Sequence, residues 1–234
     1  MAELSTEHPA PAGKPVLHDY WRSSASYRVR IALALKGIAY DRVPVDLVAG
    51  VQRNARHLAL NPQGLVPVLE IDGLVLTQSL AIIEYLEETR SEPALLPKGE
   101  EARARVRALS LAVACEIHPL SNLAVLGRVE ALAGLEARGT WNRENIVAGL
   151  LTVEAMLDNS GFIDRFCHGD QPGMADCTLI PQLYNATRWG VTFDHLPRVS
   201  AVARACDALP AFAAAHPDNF DPSRKAKETV GERK

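Results

Sequence analysis

From Ala25 to Lys36 the chain is apolar almost all round, the pattern of a helix that packs on more than one side. Gly37 supplies its stop. Val16 to Trp21 reads as a short strand before it, and Tyr40 to Leu47 alternates enough to form a second strand after it. Val48 to Leu60 is a polar, weakly helical connection, and Val66 to Ile71 is a third strand. Asp72-Gly73 then marks a tight hairpin into Leu74 to Leu76. Leu80, Ile82, Ile83 and Leu86 draw one apolar stripe along a helix from Ser79 to Glu88. The order strand, helix, strand, helix, strand, strand, helix predicts a small α/β unit with one mixed sheet of four strands.

A break follows, because Arg90 to Gly99 holds two prolines, a glycine and several charges. Beyond it no strand pattern recurs. Helical stretches run from Glu100 to Leu126, Thr140 to Leu157, Met174 to Trp189 and Arg198 to Ala214, so the second half is expected to be all helical. His118-Pro119 and Ile180-Pro181 fall inside two of these and should bend or interrupt them, since proline cannot donate to the helix ladder. The expected organisation is a domain at 16–90, a linker at 91–99 and a helical domain at 100–217. Residues 1–15 carry acids, a histidine and three prolines, unlike a signal peptide, and are expected to be a mobile extension. The charged stretch 218–234 is expected to be a loose tail.

Charge narrows the partners. The 234 residues include 25 basic and 28 acidic ones, a net charge of -3, which gives no case for nucleic acid or an anionic membrane. Cys115, Cys167, Cys177 and Cys206 are far apart and form no CxxC, and no HExxH occurs. Reduced thiols in a cytosol are expected, with neither a metal site nor a disulfide framework.

The chemistry gathers where the first strand runs into the first helix. Ser23, Ser24 and Ser26 place three hydroxyls at a helix N-terminus, with Arg28 and Arg30 behind them. Ser23 and Ser24 can simply serve as caps. They can equally hold an anion on the unpaired N–H groups, and a hydroxyl that donates to a thiolate lowers the pKa of the thiol. Leu65-Val66-Pro67-Val68 is either a plain strand start or, with a cis bond before Pro67, a backbone edge turned toward an extended peptide. Ser79 opens a helix with Ile82 where a capping-box acid would stand, so its hydroxyl is open to a foreign carboxylate.

Five stretches, WRSSASYRVRIALALKGIAYDRVPV, ALNPQGLVPVL, QSLAIIEYLEE, IHPLSNLAVL and MADCTLIPQLYNATRWGV, together resemble the zeta-class glutathione transferases, the maleylacetoacetate and maleylpyruvate isomerases. The resemblance covers about residues 17 to 217. It implies a thioredoxin-like glutathione-binding domain followed by a helical domain that completes the second substrate's site, assembled as a homodimer. Ser23 would be the catalytic serine on the glutathione sulfur, with Ser24 a second catalytic residue beside it and Ala25, Ser26 and Arg28 completing the helix start. Val66 would pair with the cysteinyl backbone, Gln78 and Ser79 would hold the γ-glutamyl end, and Gln52 is a weaker candidate. His118, Asn122 and Leu123 would reach the cofactor from the helical domain. Arg188, with Arg22 or His118 at the other end, would bind a small dicarboxylate substrate.

Two departures stand out. Ala25 replaces a cysteine usual in the family, which rules out disulfide exchange through this position. Gly173 stands where a serine or threonine usually caps a helix opposite Asp176, so a slightly weaker cap and an intact fold are expected. The implied reaction is glutathione-dependent cis–trans isomerisation of an unsaturated keto dicarboxylate. The rival is a transferase or dehalogenase that consumes glutathione, and a third reading is a non-catalytic binding module on the same scaffold.

Overall fold

The computed structural model describes residues 13–158 and 165–224. Strands β1 (Val16–Asp19), β2 (Asp41–Pro44), β3 (Val68–Ile71) and β4 (Leu74–Thr77) form one sheet in the order β2, β1, β3, β4. β2 runs parallel to β1, while β1 with β3 and β3 with β4 are antiparallel. The mixed four-stranded sheet expected from the sequence is therefore present. Asp72 and Gly73 both take positive φ, 53° and 76°, the pair of left-handed residues that a tight hairpin requires.

Helix α1 (Ser24–Leu35) explains its own apolar pattern. Every residue from Ser26 to Leu33 is buried, because three helices pack against it: α3 (Ser79–Thr89), α6 (Met174–Arg188) and α8 (Pro210–Ala215). The buried Arg30 is fully paired. It donates to Asp19 Oδ2 at 2.6 Å, to the Trp21 carbonyl at 3.0 Å and to the Ala215 carbonyl at 3.1 Å, as a buried charge demands. Arg42 meets the other oxygen of Asp19.

Phe220 packs beneath both guanidiniums, 4.7 Å from Arg30 and 5.2 Å from Arg42. It brings the 3₁₀ turn Pro217–Phe220 onto the N-terminal domain, where the sequence reading begins a loose tail at 218. The rest of that tail, 225–234, lies outside the described residues, as do residues 1–12 of the expected extension.

A second clasp orders the linker. The buried Lys36 donates to Glu87 at 2.8 Å and to the carbonyls of Arg90 and Pro93, and Glu87 accepts from the N–H groups of Leu95 and Leu96. The polar connection after β2 holds a 3₁₀ turn, Val51–Arg53, and helix α2 (Ala55–Leu60).

The helical half departs from the expected boundaries at prolines and at one glycine. Glu100 to Leu126 is not one helix: α4 (Glu100–Leu111) gives way to a π turn, Ala112–Ile117, and a 3₁₀ turn, His118–Ser121. Pro119 sits in that second turn, where it has no N–H to continue the ladder. α5 (Leu123–Asp158) starts well before the expected Thr140 and is interrupted at Gly134, whose φ of 89° no helix accommodates. Arg198 to Ala214 divides into α7 (Pro197–Asp207) and α8, because Pro210 restricts Leu209 and starts a new helix. Pro181, expected to bend or interrupt its helix, leaves α6 unbroken from Met174 to Arg188.

Gly173 caps α6 with half a capping box. Asp176 accepts from the Gly173 N–H at 2.8 Å and from the Cys167 N–H at 2.8 Å, but no side chain returns a bond. The linker explains the glycine, for a Cβ there would lie 2.8 Å from the Leu95 carbonyl oxygen, the same oxygen that accepts from the Met174 N–H. Gly173→Ala should therefore destabilise the protein by about 1–3 kcal/mol through overpacking. Denaturant unfolding checks this, and an unchanged midpoint would show that the linker moves aside freely.

Candidate active site

The first loop of the site is built by capping. Ser23 is the N-cap of α1, and its Oγ accepts from the Ser26 N–H at 3.2 Å. That bond uses an oxygen lone pair, so the Ser23 proton remains free to donate outward. Ser24 is differently employed. Its hydroxyl donates across the domain boundary to the Pro181 carbonyl at 3.3 Å, so the structure assigns the proton of this expected second catalytic serine to the seam. Ala25 is part-exposed beside Ser23, whereas the Ser26 hydroxyl is fully buried with no partner.

The second wall is the loop before β3. The Val66–Pro67 peptide is cis, and neither the N–H nor the C=O of Val66 meets another backbone group among the described residues. His57 Nε2 and Asn61 Nδ2 both donate to the Leu65 carbonyl at 2.9 Å, which fixes the chain one residue earlier. The Gln52 carbonyl packs 3.3 Å from the place a Cβ on Gly64 would take, and Gly64 has a φ of 63°, so this glycine serves a close approach. Gln52 thus borders the loop, with Oε1 buried and unpartnered.

The third wall is the start of α3. Gln78, at a φ of 66°, is its N-cap but makes no side-chain cap bond. Its exposed amide instead donates to Gln63 at 2.8 Å. Ser79 is the first helical residue, and its Oγ accepts from Arg28 Nη1 at 3.2 Å.

The helical domain delivers His118 through a turn pinned to α5. Trp141 Nε1 donates to the Leu120 carbonyl at 3.1 Å, and Ser121 to Asn142 Oδ1 at 2.6 Å. Gly149 lets Ile117 seat itself, since a Cβ there would come within 2.5 Å of that side chain. His118 Nδ1 is buried without a partner. Burial, with the charge of Arg28 added, pushes the imidazole down to about 3. Asn122 caps the turn through its N–H to the Pro119 carbonyl. Leu123, expected at the cofactor, is 49% exposed, and no described polar contact joins it to the other site residues.

Arg22 follows β1 and Arg188 ends α6, and the charge of one is felt by the other. Desolvation lowers the Arg188 guanidinium, and the charge of Arg22 lowers it further. Arg22 stacks 5.0 Å from the Trp21 ring and donates to Tyr20 Oη at 3.0 Å. Arg188 lies 5.9 Å from the ring of Tyr184. Neither forms an ion pair among the described residues. Asp221 is the acid that feels Arg22, though the Ser223 N–H is the chief cause of its lowered carboxyl.

Tyr20, Trp21 and Tyr184 are members of this site that sequence reasoning missed. Tyr184 is one helical turn before Arg188, a spacing that puts both on one face and could have flagged it. Its ring is fixed edge-on against Tyr27 and His216.

The His118 environment has a pH signature. Unfolded histidine titrates near 6.5, so between that value and about 3 the unfolded chain binds a proton that the folded chain does not. Stability contributed by neutral His118 is present above pH 6.5 and declines as the pH falls below it. The His118 ring resonances should stay in the neutral form from pH 8 to 5, and His118→Gln should flatten the decline in unfolding free energy over that range. A midpoint near 6.5 for the folded ring would contradict this.

Comparison with known proteins places these walls in a family. The glutathione S-transferase N-terminal domain model matches residues 22–89 and the C-terminal domain model matches residues 100–214. The maleylacetoacetate isomerase of Rhizobium meliloti (strain 1021) is 57% identical over 213 residues, 90% of this chain and 100% of that protein. Among solved structures, a holo maleylpyruvate isomerase described as a bacterial zeta-class glutathione S-transferase superposes with a TM-score of 0.83 at 42% identity. It covers 86% of this chain and 96% of its own. The maleylacetoacetate isomerase of Methylobacterium extorquens AM1, solved with bound malonate and glutathione, gives a TM-score of 0.83 at 44% identity, again covering 86% and 96%. With both domains matched over most of their length, the chain belongs to the glutathione S-transferase family, in its zeta class.

Proposed function

We propose that this protein is a glutathione-dependent cis–trans isomerase of a small unsaturated keto dicarboxylate, maleylacetoacetate or maleylpyruvate. The observation that carries the reading is a pair of arginines, Arg22 over the Trp21 ring and Arg188 over the Tyr184 ring, neither with an ion-pair partner among the described residues, with burial and then the charge of Arg22 lowering the Arg188 guanidinium. A dianion relieves that repulsion, and planar guanidiniums bind carboxylates in two places at once. The relatives named above are isomerases of such acids, and one of them holds malonate and glutathione together.

The residues present fit glutathione. The open proton of Ser23, the free backbone of Val66 and the uncapped start of α3 with Ser79 suit a thiol, an extended peptide and a carboxylate in turn. When bound, glutathione supplies a thiolate that adds reversibly to the double bond, so that a bond closed to rotation becomes a single one. Ser23 stabilises that sulfur by donating its free proton, assisted by the α1 N-terminus. Arg22 and Arg188 hold the substrate's two ends while its centre turns. Neutral His118 is poised to hydrogen-bond without adding charge. No side chain has to supply a nucleophile, so Ala25 in place of the usual cysteine is compatible with the reaction.

A homodimer is part of the same reading, as is a reducing compartment, which suits four cysteines that are all unpaired.

An absorbance assay with each keto acid, with and without glutathione, tests the proposal. Turnover should require glutathione and leave its amount unchanged, whereas stoichiometric loss would make the protein a conjugating transferase. Ser23→Ala should lower kcat about 100-fold, in line with loss of one donor to a developing or stabilised anion. Arg188→Ala should raise the substrate KM about 10-fold or more with glutathione affinity unchanged, the scale of one charge-assisted bond. Equal effects on both ligands would remove Arg188 from the substrate site.

A further inference from the structure

Arg28 is the buried charge to which the proposed chemistry gives no task. Its side chain is 2% exposed, and no carboxylate pairs with it among the described residues. Burial pushes its guanidinium down to about 10. Nη1 donates to Ser79 Oγ at 3.2 Å, while Nε and Nη2 are buried without partners. His118, whose Nδ1 is also unpartnered, feels the same charge from the helical domain. An unpaired buried guanidinium costs several kcal/mol, and an apolar side chain of similar volume would avoid that cost. The charge lies under the start of α3, which has no side-chain cap and no acid in its first turn, leaving its first N–H groups available.

We infer that Arg28 is a positioning residue for glutathione, orienting the Ser79 hydroxyl toward the γ-glutamyl carboxylate while touching no ligand atom itself. The inference rests on the glutathione reading above. A serine hydroxyl has one proton and two lone pairs. With Arg28 donating into one lone pair, the proton points away from the guanidinium and toward the α3 N-terminus. A charged donor on its oxygen also polarises the O–H bond and strengthens what it donates. Ser79 thereby becomes a fixed donor, and the buried charge reaches the ligand through it.

A double-mutant cycle read by calorimetry tests this on the full chain, with glutathione and with cysteinylglycine, which lacks the γ-glutamyl group. Arg28→Met should weaken glutathione about 10-fold or more, the scale of one charge-assisted bond. It should leave cysteinylglycine within about twofold, and in a Ser79→Ala background the loss should shrink to within about twofold. Equal weakening of both peptides, or a full loss persisting without the Ser79 hydroxyl, overturns the inference and leaves Arg28 a structural residue. If Arg28→Met does not fold, Arg28→Lys enters the same cycle. A crystal structure of the wild-type glutathione complex needs no variant, and it overturns the inference if Ser79 Oγ no longer accepts from Arg28. Failure of the glutathione reading is distinct, since the unsubstituted protein would then bind neither peptide.

Discussion

Helix α1 belongs to both domains, and that single constraint organises the molecule. It is packed against α3 of the first domain and against α6 and α8 of the second, so almost no face of it is left for water. Neighbouring residues on it serve different partners because each step along a helix turns by about 100°. Ser23 caps the helix, Ser24 bonds Pro181, Tyr27 meets Tyr184, Arg28 reaches Ser79 and Arg30 clasps Asp19 and Ala215. A helix so enclosed can carry polar groups only where each has somewhere to go. The two groups that do not, Ser26 Oγ and part of Arg28, lie within two residues of each other and within the helix-start motif.

The sheet and this helix were legible because their signals are local. Alternation gives the strands, Asp72-Gly73 gives the hairpin, and an apolar run longer than a strand gives a doubly packed helix. The broken helices were less so. A proline says that the ladder loses a donor, but not whether neighbours tolerate the loss: Pro119 stands in a 3₁₀ turn, while Pro181 sits inside α6, packed against α1. Gly134 and Gly173 carried no periodic signal, since one answers to backbone twist and the other to a carbonyl from the linker. The candidate site was legible through family resemblance, which supplies residue identities but not their hydrogen bonds. Ser24 and Ser23 are adjacent in the chain and opposite in role, a difference set by Pro181, 157 positions away from Ser24.

The electrostatics of the two ends of the site differ in kind. Arg188 is part-buried, and burial and then the charge of Arg22 lower its guanidinium. In the proposed function, two neighbouring positive charges favour a ligand bearing two negative groups over one bearing a single group. Arg28 is sealed, with only one nitrogen engaged, and acts where the effective dielectric is low. A net charge of -3 for the whole chain conceals both arrangements. Overall charge describes long-range steering, whereas a site is decided by charges within a few ångströms.

Neutrality at His118 completes that logic. A protonated imidazole beside Arg28 would add a second cation to a buried region that already holds an unpaired one, and burial together with Arg28 prevents it. What remains is an uncharged ring whose buried Nδ1 has no partner, on a turn braced by Trp141, Asn142 and Gly149. Isomerisation by reversible addition needs no net proton transfer from the protein. A site for it is better served by fixed donors and fixed charge than by titrating groups, because preorganised dipoles cost nothing to reorient during the reaction. The candidate residues Ser23, Ser79, His118, Arg22 and Arg188 share that character: each is held by its own helix start, turn or neighbouring ring.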